Sequence, residues 1–447
     1  MRQFLKLALL AGPLALAACD LDTTNPNAPT QETATTSPEG LIALGVGLQN
    51  RFGSSTGSFI YGAGLVTDEL GAVAASFSTI SDAARGTVPP NTNLAADIWN
   101  GSYRTVKTAN DIIASAGNVD MPAGTRAGLL GMAYLFKAAA LGEVLQAFQK
   151  LPIDTYNNPA ATFVDRPTAL AYVLALLDSA DVAYNSAPIS SQFTSQVLAT
   201  GLSIPNTIQA YKARYRRLAA TDAAGWQSVI AAADSVSRTV FSVLPFDATN
   251  RNPVFNTSSG SSGVLPRDTF RLSDPTEALR VAFHVTAGTP AERDPSIPLD
   301  NYARYSDPSA SIPTYYPDEV LLIKAEALAR LNQLPEAVAV LDSVRTDCPG
   351  AGAVTTDPGP CLAPYSGPMT QSAILDEIYR NRRYELFATG LRWEDARRLS
   401  SVGVGPTPGI ATRCWLPYTI GERNTNPTNV PADPEGTEPP AFPASCF

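Results

Sequence analysis

The sequence predicts a mostly α-helical protein, built from tetratricopeptide-like antiparallel helix pairs with long ordered loops and few short strands. Three observations predict it. Apolar residues recur at helical spacing in long, widely separated runs. Two runs resemble each other: Lys212-Ala213…Asp234-Ser235-Val236 parallels Lys324-Ala325…Asp342-Ser343-Val344, the first copy being longer in its turn. Between the runs lie irregular stretches that hold most of the chain's abundant proline, with Asn, Thr, Ser and Gly.

The chain opens with Arg2 and Lys6 before an apolar run over 7–18. That run is shorter than the roughly 20 residues a helical span needs, and it reads as a secretory signal. It ends in Leu16-Ala17-Ala18-Cys19, which resembles a bacterial lipobox. The resemblance implies cleavage before Cys19 and acylation of that residue, and two or more acyl chains anchor stably where one is marginal. No later apolar run is expected to span a bilayer. Residues 19–37 are polar and rich in Pro, Thr and Asn, and read as a tether. The remainder, 38–447, is expected to be one helical domain with loop-rich insertions at 187–205, 245–317, 349–369 and 400–447.

Ser37, Pro38 and Glu39 supply a cap, a first-turn proline and a first-turn acid, so a helix starts there and continues through Leu41, Ile42, Leu44 and Leu48. The Gly/Ser-rich stretch 53–71 reads as its end. Helical spacing returns over 95–114, with Ile98, Trp99, Tyr103, Val106 and Ile113 on one side. Further helices are predicted over 125–149, 167–184, 207–220 and 226–239, with two pairs over 318–345 and 371–399. In the first of these pairs Leu321, Ala325, Leu328, Ala337, Leu341 and Val344 hold hairpin spacing. Small Ala325 and Ala337 fall where the helices touch, and Pro335 opens the second.

Composition narrows the function. The 447 residues carry a formal charge of -9, are 45% apolar and 16% charged, and include one histidine. An acidic chain has no basic excess with which to bind a phosphate backbone. A single His284 excludes multi-histidine zinc sites, and no cofactor or metal is expected. With Cys19 assigned to lipid, Cys348, Cys361, Cys414 and Cys446 remain as structural disulfides, an even set suited to an oxidising compartment. Three connectivities are open, and local pairing closes the smallest loops.

With this organisation, the chain resembles the SusD/RagB-like outer-membrane lipoproteins of nutrient uptake. The strongest segment is 379–399, YRNRRYELFATGLRWEDARRL. It is similar to the family's C-terminal signature at Arg382, Glu385, Leu386, Gly390, Arg392, Trp393, Asp395 and Arg398. The segment 98–113, IWNGSYRTVKTANDII, is similar to a second family motif, with Val106 in place of Ile. The helices over 126–152 and 315–345 resemble the family's helix pairs. The resemblance implies a surface lipoprotein without catalysis, partnered by a SusC-like TonB-dependent transporter barrel and binding a small molecule such as a glycan. It also implies an aromatic arc on the variable loops, yet between Tyr61 and Trp99 the one aromatic residue is Phe77.

Glu385 with Asp395 has the form of a glycosidase carboxylate pair. Arg382 and Glu385 are three apart on one helix, however, and are expected to support each other across a turn. Nearby arginines would depress a carboxylate, which is wrong for a general acid. Asp68 and Glu69 are adjacent and diverge in either a helix or a strand. His284, within the alternating LRVAFHV, reads as a residue at a strand edge. Binding suits the chain better. Tyr302, Arg304, Tyr305, Asp307, Tyr315 and Tyr316 form the densest cluster of rings and polar groups, and Phe59, Tyr61 and Phe77 a second group. Stacked rings with hydrogen-bonding neighbours bind sugars; the same rings could instead pack on the helices beneath. The reading is capture of an oligosaccharide or similar nutrient for delivery to the transporter. The alternatives are an envelope scaffold made of helical repeats and a secreted glycoside hydrolase.

Overall fold

In the computed structural model of the protein, which describes residues 31–73, 76, 78–258, 263–289, 298–348, 358–401 and 413–434, Ser37 caps the first long helix as its sequence requires. Its hydroxyl accepts the Gly40 amide at 3.1 Å. Pro38 at the first position has no amide hydrogen to leave unpaired. The helix α1 spans Pro38–Leu65 and continues through the Gly/Ser-rich stretch that reads as a break. Glycine costs a helix about 1 kcal/mol relative to alanine, and close packing offsets it here. A methyl group at Gly57 would lie 2.3 Å from Pro253, and one at Gly62 would lie 2.7 Å from Ile98. The glycines let neighbouring elements approach the α1 backbone.

Nine further long helices follow: α2 Asn93–Ser115, α3 Ala123–Ala147, α4 Arg166–Tyr184, α5 Ile204–Ala219, α6 Ala223–Asp234, α7 Pro317–Arg330, α8 Leu334–Arg345, α9 Gln371–Glu385 and α10 Arg392–Ser401. The mostly α-helical expectation holds. Helix α3 packs against α1, α2, α4 and α5, and a stack runs on through α5, α6, α7, α8 and α9. Contrary to expectation, a later helix is long and apolar enough to cross a membrane: α3. Its residues are nearly all buried inside the protein, so its hydropathy reflects a core helix packed on every side.

The two related hairpins are real pairs. Helices α5 and α6 pack together, as do α7 and α8, the latter turning through Asn332 at a φ of 58°. Ala213, Ala325 and Ala337 are completely buried, so the small residues do sit in the core of the stack. Lys324 reaches Asp234 at 2.5 Å and links one hairpin to the other.

Short antiparallel pairs fasten the long connections. They are β1 Leu70–Ala72 with β5 Val264–Pro266, β2 Leu151–Pro152 with β3 Phe163–Val164, β4 Val243–Leu244 with β8 Ile312–Pro313, and β6 Val285–Thr286 with β7 Asn301–Tyr302. Three of the four anchor the segment after α6 to itself or to the end of α1. Residues 278–284 form a helix, Ala278–His284, where alternation predicts a strand. Arg280, Val281 and His284 are its buried residues, at helical spacing. Cys348 and Cys361 form a disulfide. Cys414 is also disulfide-bonded. Cys446, like the leader, Cys19 and most of the tether, lies outside the described residues.

Candidate functional site

The tyrosine cluster singled out in the sequence is core. Tyr302, Tyr305, Tyr315, Tyr316 and Phe59 are all buried. Tyr302 sits on β7, its ring 5.9 Å from that of Tyr305. The Tyr315 hydroxyl donates to the Val240 carbonyl at 3.0 Å. Phe59, Tyr305, Tyr315 and Tyr316 line a small internal cavity of about 40 Å³ with Glu143, Gln146, Arg214 and Glu319. This is room for about one water molecule, too little for a sugar. Arg304 is half-buried over Phe283 and Tyr305 and donates to the Ser311 carbonyl. Asp307 is exposed but accepts the Ser309 amide and hydroxyl, which hold its pKa low. Tyr61 is half-buried and donates to Asp97 at 3.1 Å. Phe77 lies outside the described residues. The rings therefore present no exposed platform, because strand pairing folds their loop inward onto the helices.

The charges of the C-terminal signature form ion pairs between elements. Arg382 reaches Asp395 at 2.7 Å, and Asp395 also accepts from Arg217 of α5 at 2.8 Å. Arg217 and Arg398 both hold Glu326 of α7, which takes a third hydrogen bond from the Tyr379 hydroxyl. Glu385 faces Arg280 at 3.3 Å. Both residues of α9 reach beyond their own helix, Arg382 to Asp395 and Glu385 to Arg280. Arg392 binds Asp68 at 2.9 Å, tying α10 to the end of α1. Trp393 donates its indole N–H to the Arg413 carbonyl at 2.7 Å. Burial disfavours the charged form of Asp395, but Arg382 and Arg217 prevail and keep its pKa low. Glu385 and Asp395 are both buried and arginine-bound, which is a structural arrangement rather than an open acid–base pair.

The other proposed pairing also separates. For Asp68, burial opposes ionisation, but Arg392 and Arg383 overcome it and lower the pKa. Glu69 is pushed up to about 8 by burial and by Asp68 beside it. His284 is buried against Phe270, Phe283 and Phe387, and burial followed by Arg304 drives its pKa down to about 3. It is neutral at physiological pH.

A different region is open to solvent. Helices α1 and α2 come close at Ser55 and Gly101, where a methyl on Gly101 would lie 2.9 Å from the Ser55 Cβ. Above that contact is a groove of about 480 Å³. Asn50, Arg51, Ser54 and Ser58 line one wall and Asp97, Asn100 and Arg104 the other. Residues three and four apart share a helix face, so each wall is one polar row. Past Asn100 and Arg104 the groove meets a second hollow of about 370 Å³, walled by Tyr103, Lys107, Asn158, Glu422 and Asn426.

Its floor is rigid. Trp99 is buried among Tyr103, Phe148, Phe163 and Tyr418, and donates to Glu422 at 3.3 Å. The Tyr103 hydroxyl donates to the Pro152 carbonyl at 2.8 Å. Lys107 is paired with Asp111 at 2.6 Å. The combined groove offers amides, hydroxyls and a tyrosine edge, the inventory for hydrogen-bonding a polyhydroxylated ligand. The segment 98–113 shows its apolar face most plainly in sequence. Its polar face, Asn100, Arg104 and Lys107 at helical spacing, was the available signal.

Residues 318–435 match the SusD family model. That span holds the signature residues, whose partners Asp68, Arg217 and Arg280 lie outside it, and nearly all of the second hairpin. The whole fold is matched as well: B. fragilis NanU superposes with a TM-score of 0.69 at 15% identity, covering 92% of this chain and 99% of that one. The chain has the fold of the SusD-like proteins. The surface glycan-binding protein A from Bacteroides uniformis has a TM-score of 0.64 at 12% identity, covering 88% and 99% of the two chains. A SusD-like carbohydrate binding protein from Bacteroides vulgatus has a TM-score of 0.63 at 14% identity, covering 82% and 84%. No curated protein matches the chain by sequence. The SusD-like signature serves here as internal bracing, and the segments over 98–113 and 126–152 become the core helices α2 and α3.

Proposed function

We propose that this SusD-like chain is a lipid-anchored protein of the outer-membrane surface that captures an oligosaccharide or similar nutrient and passes it to a TonB-dependent transporter. One observation carries the binding part: the solvent-open polar groove between α1 and α2, with the adjoining hollow between α2 and the segments around Asn158 and Glu422, on a braced helical frame. Capture needs a rigid frame with hydrogen-bonding groups facing solvent. Anchoring rests on the Leu16-Ala17-Ala18-Cys19 motif, and the transporter on the likeness to SusD-like proteins. The carboxylates offered by the sequence for hydrolysis are buried in ion pairs, so the groove is the better seat of function.

The test is affinity purification of the tagged, full-length protein from native outer membranes, followed by glycan and peptide screening of the purified chain. A co-purifying β-barrel transporter and a small ligand are expected. If no barrel and no small ligand is found, the uptake reading is wrong.

A further inference from the structure

We infer that the groove selects an oligosaccharide carrying a carboxylate, which Arg51 and Arg104 hold between them. This deepens the capture reading above and rests on it. The argument begins with where this protein places its arginines. Among the described residues nearly every arginine is engaged. Arg217, Arg382, Arg392 and Arg398 bind carboxylates, Arg126 and Arg216 bind backbone carbonyls, and Arg251 lies over Phe255. Three described arginines have no such partner: Arg51, Arg104 and Arg238. Two of the three line one groove, Arg51 on its α1 wall and Arg104 on its α2 wall.

Of the neighbouring charges, one is compensated by an ion pair and two carboxylates accept from neutral donors. Asp97 accepts from the Tyr61 hydroxyl. Lys107 is paired with Asp111, and Glu422 accepts from Trp99 and Asn426. The groove thus sets two guanidinium groups against the single carboxylate of Asp97, beside neutral Asn50, Ser54 and Asn100, and keeps a positive excess. On a chain with a formal charge of -9, this local positive pair runs against the overall field. Guanidinium groups bind carboxylates through paired, charge-assisted hydrogen bonds, stronger than those to neutral hydroxyls. The amides and serines suit the hydroxyls of the same sugar. A carboxylated sugar, of the uronic or sialic type, satisfies both sets at once.

The experiment uses isothermal titration of the full mature chain with oligosaccharides containing uronic or sialic acids, each paired with its carboxyl-reduced neutral form. The acid form is expected to bind about tenfold or more tightly than the reduced form, with affinity falling as salt rises. The double variant Arg51→Gln/Arg104→Gln should lose that preference, while Arg238→Gln should retain it. Thermal melts establish that each variant is folded, and the comparison of acid with reduced ligand requires no variant. Equal binding of acid and neutral forms, or a preference that survives the double variant, overturns the inference and leaves glycan capture standing. Failure of every oligosaccharide, neutral ones included, overturns both.

Discussion

Arg217 of α5 and Asp395 of α10 lie 2.8 Å apart across 178 residues of sequence, and both side chains are almost wholly buried. Asp395 is shared with Arg382, and Arg217 with Glu326. The network therefore joins α5, α7, α9 and α10. Removing one member of a buried ion pair leaves an uncompensated charge, at a cost of about 3–5 kcal/mol. Arg217→Met is expected to lower unfolding stability by that amount in urea denaturation at neutral pH. A loss under about 1 kcal/mol would show that the network braces nothing.

Buried ion pairs, in this network and beside it, set the acid limit of the fold. Burial opposes ionisation of Glu394, but Arg166 and Arg397 prevail and lower its pKa to about 2. An unfolded glutamate titrates near 4.3, so below that pH the unfolded chain takes up the proton first. The stabilisation is present above about pH 4 and is lost as pH falls toward 2. Asp395 and Glu326, also lowered, act in the same direction. Stability measured in urea from pH 6 down to pH 2 should drop steeply below about pH 4. A flat profile there would contradict the ion-pair assignment.

Glu143 has the opposite sign. It lines the small internal cavity, and burial pushes its pKa up to about 8 against the weaker pull of Thr56 and Arg214. Between the unfolded value near 4.3 and about 8, the folded state holds a proton that the unfolded state has released, so this group's contribution to stability falls as pH rises through that window. Glu143→Gln keeps the shape without the charge. It is expected to be more stable than the parent at pH 9 by at least about 1 kcal/mol, with the gain shrinking toward pH 5. The comparison of denaturation midpoints at the two pH values decides it.

The anchor is tested at Cys19. Cys19→Ser should abolish incorporation of labelled palmitate and release the protein from the membrane fraction. Retention of the label would place the acyl group elsewhere.

Much of the frame could be read from local pattern. Ser37 with Pro38 announced α1, and the Lys-Ala…Asp-Ser-Val copies announced the two hairpins, because capping and helical spacing depend on residues a few positions apart. The break expected over 53–71 failed for a physical reason: glycines there face Pro253 and Ile98, and contacts from distant elements outweigh a weak local propensity. The candidate site was harder. Tyr305, Tyr315 and Tyr316 have the composition of a binding loop, but composition alone cannot decide whether a ring points to solvent or to the core.

By itself, the sequence determined the helical class and the signature that matches the SusD family model, and it carries the motif on which anchoring at Cys19 is proposed, since each is written in short-range spacing. Tertiary structure decided what those residues do. It turned the signature charges into pairs such as Arg217 with Asp395, buried the tyrosines, and made a groove where α1 passes α2. Those outcomes depend on which distant surfaces meet, and a meeting of residues far apart in the chain has no local pattern to announce it.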